Sequence, residues 1–157
     1  MIQRIQTLFL ILAVACLVAT CFLPLGTITT DFSYYQYNAW SLHDTTADQQ
    51  TIQNTYIIGL LAGILAVLAL VAVFLYRNRP VQSKVCMAAM LLNLVLLLFI
   101  SVIYPDLIFK KLDVINGNEV VLSMWCFLPI CSALLFYLAS KFINKDEKMV
   151  RAADRLR

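Results

Sequence analysis

The sequence is poor in the residues from which active sites are made. It has a single histidine, His43, and only 13% of its 157 residues are charged. One histidine cannot build a metal centre and no cysteine lies near it in the chain, so His43 reads as a solvated loop residue. Paired histidines, paired catalytic carboxylates and a Cys-x-x-Cys motif are missing. No basic, aromatic-interleaved stretch follows the pattern of a nucleic-acid surface, which sets that class aside. These absences leave no catalytic residue, no metal ligand and no cofactor or cofactor-binding residue to nominate.

Charge is missing in a second, more telling way. Four long runs contain no Asp, Glu, Lys or Arg: Leu8 to Leu25, Tyr56 to Tyr76, Val85 to Tyr104 and Val120 to Ser140. Without intramembrane charge the chain lacks the parts of a proton relay, a coupled ion transporter or a pore for charged substrates. It also lacks the internal repeats that secondary transporters are built from.

What is there is apolar surface. Apolar residues make up 62% of the chain, where a soluble domain has roughly half. Each run holds 18 to 21 residues, enough at about 1.5 Å per residue to cross a hydrocarbon core of roughly 30 Å. Backbone polar groups in lipid must be satisfied within the segment, so such runs become helices. Only Arg4 precedes the first run, which continues past Ala13-Val14-Ala15, so it is expected to stay as a membrane helix and not to be cleaved as a signal peptide.

The expected fold is an all-α membrane protein: a four-transmembrane-helix bundle with a small antiparallel β-sheet from its two outer loops. It forms one domain over residues 1–157. Spans lie near 5–25, 56–76, 85–104 and 120–142, outer loops at 26–55 and 105–119, and an amphipathic tail at 143–157. Ten of the twelve Lys and Arg fall on the side of the termini, leaving only Lys110 and Lys111 opposite. The positive-inside rule then places both termini in the cytoplasm. Tyr56, Tyr104 and Trp125 fall at the outer boundary, and Tyr76 and Tyr137 near the inner one.

The first outer loop has no Lys or Arg and contains DFSYYQYNAW. Its Tyr34, Tyr35, Tyr37 and Trp40 suit a pleated surface, and strands are expected near 27–31 and 34–41. Asn116-Gly117 signals a hairpin with strands near 112–115 and 118–121. Asp44 to Gln50 reads as a turn. The aromatic rings can rest at the headgroup level or under the sheet, or they can form a candidate interaction surface.

Within the spans, Gly59 and Gly63 are four apart and mark a helix-packing seam inside the bundle, or alternatively in a homo-oligomer. Asn93 lies at mid-span, where an amide bonds to another helix, or alternatively touches a quinone headgroup. The five cysteines read as small apolar fillers. A Cys21–Cys126 disulfide depends on geometry, and Pro129 is expected to kink the fourth helix. In the tail, Glu147 and Arg151 have i,i+4 spacing, and Arg151 and Arg155 border an apolar face. That face suits the anionic inner leaflet or a cytoplasmic partner.

The opening MIQRIQTLFL and the closing DEKMVRAADRLR, with four spans and a long first outer loop between them, resemble a family of small bacterial integral membrane proteins described as domain of unknown function 4293. The resemblance covers the whole chain. It implies a four-helix protein of the bacterial inner membrane and carries over no catalytic or binding residue. The function expected is that of a non-enzymatic accessory, assembly or interaction subunit, whose partners are the lipid bilayer and another membrane protein or a second copy. The alternative is a quinone- or thiol-linked oxidoreductase using Asn93, Cys126 and Cys131.

Overall fold

The computed structural model describes residues 2–29, 34–45, 51–54, 56–112 and 119–155. Helix α1 spans Ile2–Phe22 and α2 spans Tyr56–Phe74. Helix α3, Arg79–Leu98, passes through a π-helical turn at Phe99–Ile103 into α4, Tyr104–Leu112, as one continuous rod. Helix α5 covers Phe127–Arg155. Four of these helical segments are long and apolar enough to cross a membrane: Ile5–Phe22, Tyr56–Phe74, Arg79–Lys110 and Met124–Ala152.

The helices form a ring in which α1 packs on α2 and α5, and α3 packs on α2 and α5. Helix α2 buries Ile58, Gly59, Ala62, Leu65, Ala69 and Ala72, a stripe at helical spacing. Helix α5 contributes Ser132, Phe136, Ala139, Ser140, Ile143 and Asp146 at steps of three and four. The exposure pattern is inverted relative to a soluble domain. Leu8, Ile11, Leu60, Val67, Leu91, Leu98 and Leu134 are exposed, while Thr20, Asn93 and Ser132 are completely buried.

One end of the bundle carries a five-stranded antiparallel sheet ordered β4-β3-β2-β1-β5. Its strands are Gly26–Thr29 (β1), Tyr34–Tyr37 (β2), Ser41–Asp44 (β3), Thr51–Asn54 (β4) and Glu119–Leu122 (β5). Gly26 faces Tyr37 on β2 and Leu122 on β5, which closes the loop after α1 against the segment before α5. Ile28, Tyr37 and Leu42 are buried toward the helices.

The structure moves several boundaries. Helix α1 stops at Phe22, short of residue 25, because Pro24 cannot donate to the helical ladder. Residues 119–122 form the strand expected near 118–121 and pair with β1; a 3₁₀ turn at Met124–Cys126 follows, and α5 begins at Phe127, later than the span start expected near 120. Pro129 therefore sits in the first turn, where a missing N–H costs nothing, and it does not kink the helix interior. His43 and Asp44 lie in β3, not in a loop or turn. Strand β4 is an addition that the polar sequence around it did not signal. Leu112 ends α4, so it is helical where a strand was expected. The Asn116-Gly117 hairpin falls outside the described residues.

Candidate functional site

Alternation along β2 divides the aromatic stretch between two faces. Tyr34 is 58% exposed and Tyr37 is completely buried; Tyr35 is partly buried against the core. Asp31, Phe32 and Ser33 lie outside the described residues. Trp40 is partly exposed at the turn between β2 and β3, with its ring against Gly59 of α2. The Gly59 N–H donates to the Ala39 carbonyl at 3.0 Å, so this turn is fastened to the first residues of α2.

Gly59 and Gly63 consequently have different surroundings. A Cβ on Gly59 would come within 2.8 Å of the Trp40 indole, whereas one on Gly63 would meet nothing within 4 Å. The space at Gly59 is taken by the indole of Trp40, from the turn between β2 and β3. Gly63 is partly buried and falls outside the residues that α2 buries.

Tyr37 is the link between sheet and bundle. Its ring lies over Gly26, where an added Cβ would be 2.6 Å from the Tyr37 hydroxyl. The ring pairs with Tyr104 at 5.5 Å between centroids, and the hydroxyl donates to the Ile100 carbonyl at 3.4 Å. The π turn explains why that carbonyl is free to accept. In an α-helix it would bond the N–H of Tyr104, but here Tyr104 donates to Phe99. The next residue, Pro105, has no N–H to offer. Tyr37 supplies the missing donor. Burial, with Cys126 and Tyr104 alongside, pushes its hydroxyl well above the usual phenol range, so it is protonated and able to donate at neutral pH. Tyr37→Phe is expected to cost about 1 kcal/mol. In a Pro105→Ala background, where a backbone N–H is restored, that cost should largely disappear. A double-mutant cycle by thermal unfolding checks the coupling; strictly additive losses would refute it.

Inside the bundle, polar side chains join helices in pairs. Asn93 Nδ2 of α3 donates to Ser132 Oγ of α5, which donates to the Pro129 carbonyl at 2.9 Å; Asn93 Oδ1 is buried without a partner. Further down, Ser83 and Ser140 hydroxyls meet at 3.1 Å, and Gln82 donates to the Ala72 carbonyl at 2.9 Å. At the tail end, Gln6 of α1 donates to Asp146 of α5. All five cysteines are free thiols, so the Cys21–Cys126 disulfide is not formed. Cys126 is buried and Cys131 is exposed, so the two do not face a common site.

Beyond Asp146, α5 continues unbroken and its residues 148–152 are exposed. Arg151 pairs with Glu147 as the spacing required; the Arg155 side chain lies outside the described residues. Among the described residues no group of three or more His, Cys, Asp or Glu could hold a metal ion.

A family model described as domain of unknown function 4293 matches residues 2–156. The chain belongs to this family. No curated protein matches it. For this family member, the groups singled out by the structure are Gly26, Tyr37, Tyr104 and Pro105 at the sheet end and Gln6 with Asp146 at the tail end. Sequence reasoning singled out Tyr37 and placed Tyr104 at a span boundary, but passed over the others. Pro105, at the edge of an apolar run, was the available signal for a disturbed helical ladder.

Proposed function

We propose that this family member is a multi-pass protein of the bacterial inner membrane, with both termini in the cytoplasm, acting as a non-enzymatic interaction or assembly subunit. The observation that carries the reading is the inverted exposure of the helices: apolar side chains outward and amide and hydroxyl groups inward. An exposed apolar belt of that extent suits hydrocarbon and not water. The exposed bases Lys84, Lys141, Lys145, Lys148 and Arg151 are on the elements at the tail end, which supports a cytoplasmic assignment for that end. An interaction role is supported by Tyr34 and Trp40, partly exposed rings on a sheet fastened to the bundle, the type of anchor that dominates interfaces.

Two measurements test the reading. An alkaline phosphatase fused after Arg157 should be inactive, and active when inserted at 46–50; the reverse would overturn the topology. A photoreactive benzoylphenylalanine at position 34 should give one discrete crosslinked species in cells. Native mass spectrometry of the gently extracted protein should then show the same added chain. No crosslink together with a lone chain would overturn the interaction role.

A further inference from the structure

We infer that one face of α5, with Lys84 of α3 beside it, binds the headgroup and a chain of an anionic phospholipid. The inference deepens the proposed function and rests on its placing of the tail end at the inner leaflet. Helix α5 runs unbroken from Phe127 to Arg155. Ile130, Leu134, Tyr137, Lys141, Lys145 and Lys148 follow one another along it at steps of three and four, so they share a face. All six are exposed, and the described residues leave this face open.

The stripe changes character once along its length. From Ile130 to Tyr137 it is apolar, with Leu134 58% and Tyr137 46% exposed; from Lys141 onward it presents only ammonium groups. Lys141 stands eleven residues beyond Ile130, a rise of about 16 Å, and one leaflet's share of the hydrocarbon core is about 15 Å. The step from Lys141 to Lys145 adds about 6 Å, the depth of a headgroup layer. A second helix supplies a base at the same level. The Ser83 and Ser140 hydroxyls meet at 3.1 Å, and Lys84 and Lys141 are the next residues on their helices, both exposed. No carboxylate neutralises the group. Glu147 pairs with Arg151, Asp146 is buried against Gln6, and none of Lys84, Lys141, Lys145 and Lys148 has an ion-pair partner among the described residues.

Unpaired ammonium groups that continue an apolar stripe call for an occupant that is apolar along one part and anionic along the next. A phospholipid has that order built in. Its acyl chain covers Ile130, Leu134 and Tyr137, while its phosphate accepts charge-assisted hydrogen bonds from the lysines. A soluble acidic peptide would match the lysines and leave the apolar part uncovered. A choline headgroup brings a cation of its own toward the lysines, so the site favours a lipid of net negative charge.

The test is native mass spectrometry of the full chain released from nanodiscs made of equal parts phosphatidylglycerol and phosphatidylcholine. Phosphatidylglycerol should stay bound in clear preference to phosphatidylcholine. Lys141→Gln combined with Lys145→Gln should lower its retention about tenfold or more. Lys110→Gln combined with Lys111→Gln removes the same charge from the opposite end and should leave retention unchanged. Glycerophosphoglycerol, the headgroup without its chains, should fail to displace the lipid when added in large excess. If the double variant at 141 and 145 does not insert, the two single variants decide, each with a smaller loss. Equal retention of both lipids would overturn the assignment, as would retention indifferent to Lys141 and Lys145. An equal loss from the 110 and 111 pair would reduce the effect to net charge, and displacement by the soluble headgroup would overturn the lipid. Failure of the unmodified chain to enter nanodiscs would overturn the membrane reading itself; lost selectivity in an inserted chain overturns this inference alone.

Discussion

Gly26→Val is expected to loosen the sheet from the helices and to be among the most damaging single substitutions in the chain. The Cβ of any residue at position 26 would lie 2.6 to 2.7 Å from the Tyr37 ring and hydroxyl, and the ring has nowhere to go. It is completely buried, held against Tyr104 and bonded to the Ile100 carbonyl. Displacing it combines an overpacking penalty of about 1–3 kcal/mol with the loss of a hydrogen bond of about 1 kcal/mol. Thermal unfolding of the detergent-solubilised protein should show a lower midpoint, with Gly26→Ala affected less. Hydrogen exchange should speed up first in β1 and β2, since local opening of the sheet does not require the helices to separate. The Tyr37→Leu substitution, by removing the ring, should make Gly26→Val tolerable. An unchanged midpoint for Gly26→Val would show that Tyr37 is not the clamp between sheet and bundle.

At the other end, Gln6→Leu and Asp146→Asn are expected to have opposite signs. Both side chains are buried, with 4% and 7% of their surface exposed. The Gln6 amide donates to one oxygen of Asp146, while the other, Oδ1, has no partner. Gln6→Leu removes the donor and strands a carboxyl group between α1 and α5, a loss of about 2–3 kcal/mol. Asp146→Asn keeps an acceptor for Gln6, adds an amide donor and removes the charge from a site that satisfies it incompletely, so it should be neutral or stabilising. Comparing unfolding midpoints of the two variants at neutral pH gives the answer. A large loss in Asp146→Asn would mean that its charge is needed for something beyond joining the helices.

The four helical segments were legible because they rest on a bulk property. Apolar runs such as Tyr56 to Tyr76 leave a backbone no alternative to a helix once water is excluded, and this holds whatever the neighbours are. The first two strands were legible for a related reason, since Tyr, Thr and Ile favour a pleated surface; the second, expected over 34–41, ends at Tyr37, and a turn leads into β3. Membership of the family was likewise readable from the two terminal motifs and is shown by the match over residues 2–156.

What the sequence left undecided turns on pairs of distant segments. The strand expected near 118–121 forms at Glu119–Leu122, and because it pairs with β1 the start of α5 moves to Phe127. Gly59 and Gly63 have the spacing of a helix seam, yet only the fold reveals that Trp40 fills the space beside the first. Gln6 and Asp146 are 140 positions apart, and nothing local announces that an amide and a carboxyl will be buried together.

The sequence by itself therefore determined where the four apolar helical segments lie, that the exposed surface is apolar, and which end carries the positive charge, but not that the third continues as helix to Leu112. Each follows from side-chain chemistry summed over a window. Only the tertiary structure decided that Tyr37 completes the interrupted hydrogen bonding at Ile100 and that Gly26 makes room for it. These depend on strand register and on which side chain reaches the carbonyl that Pro105 leaves unbonded, and both are settled by contacts between segments far apart in the chain.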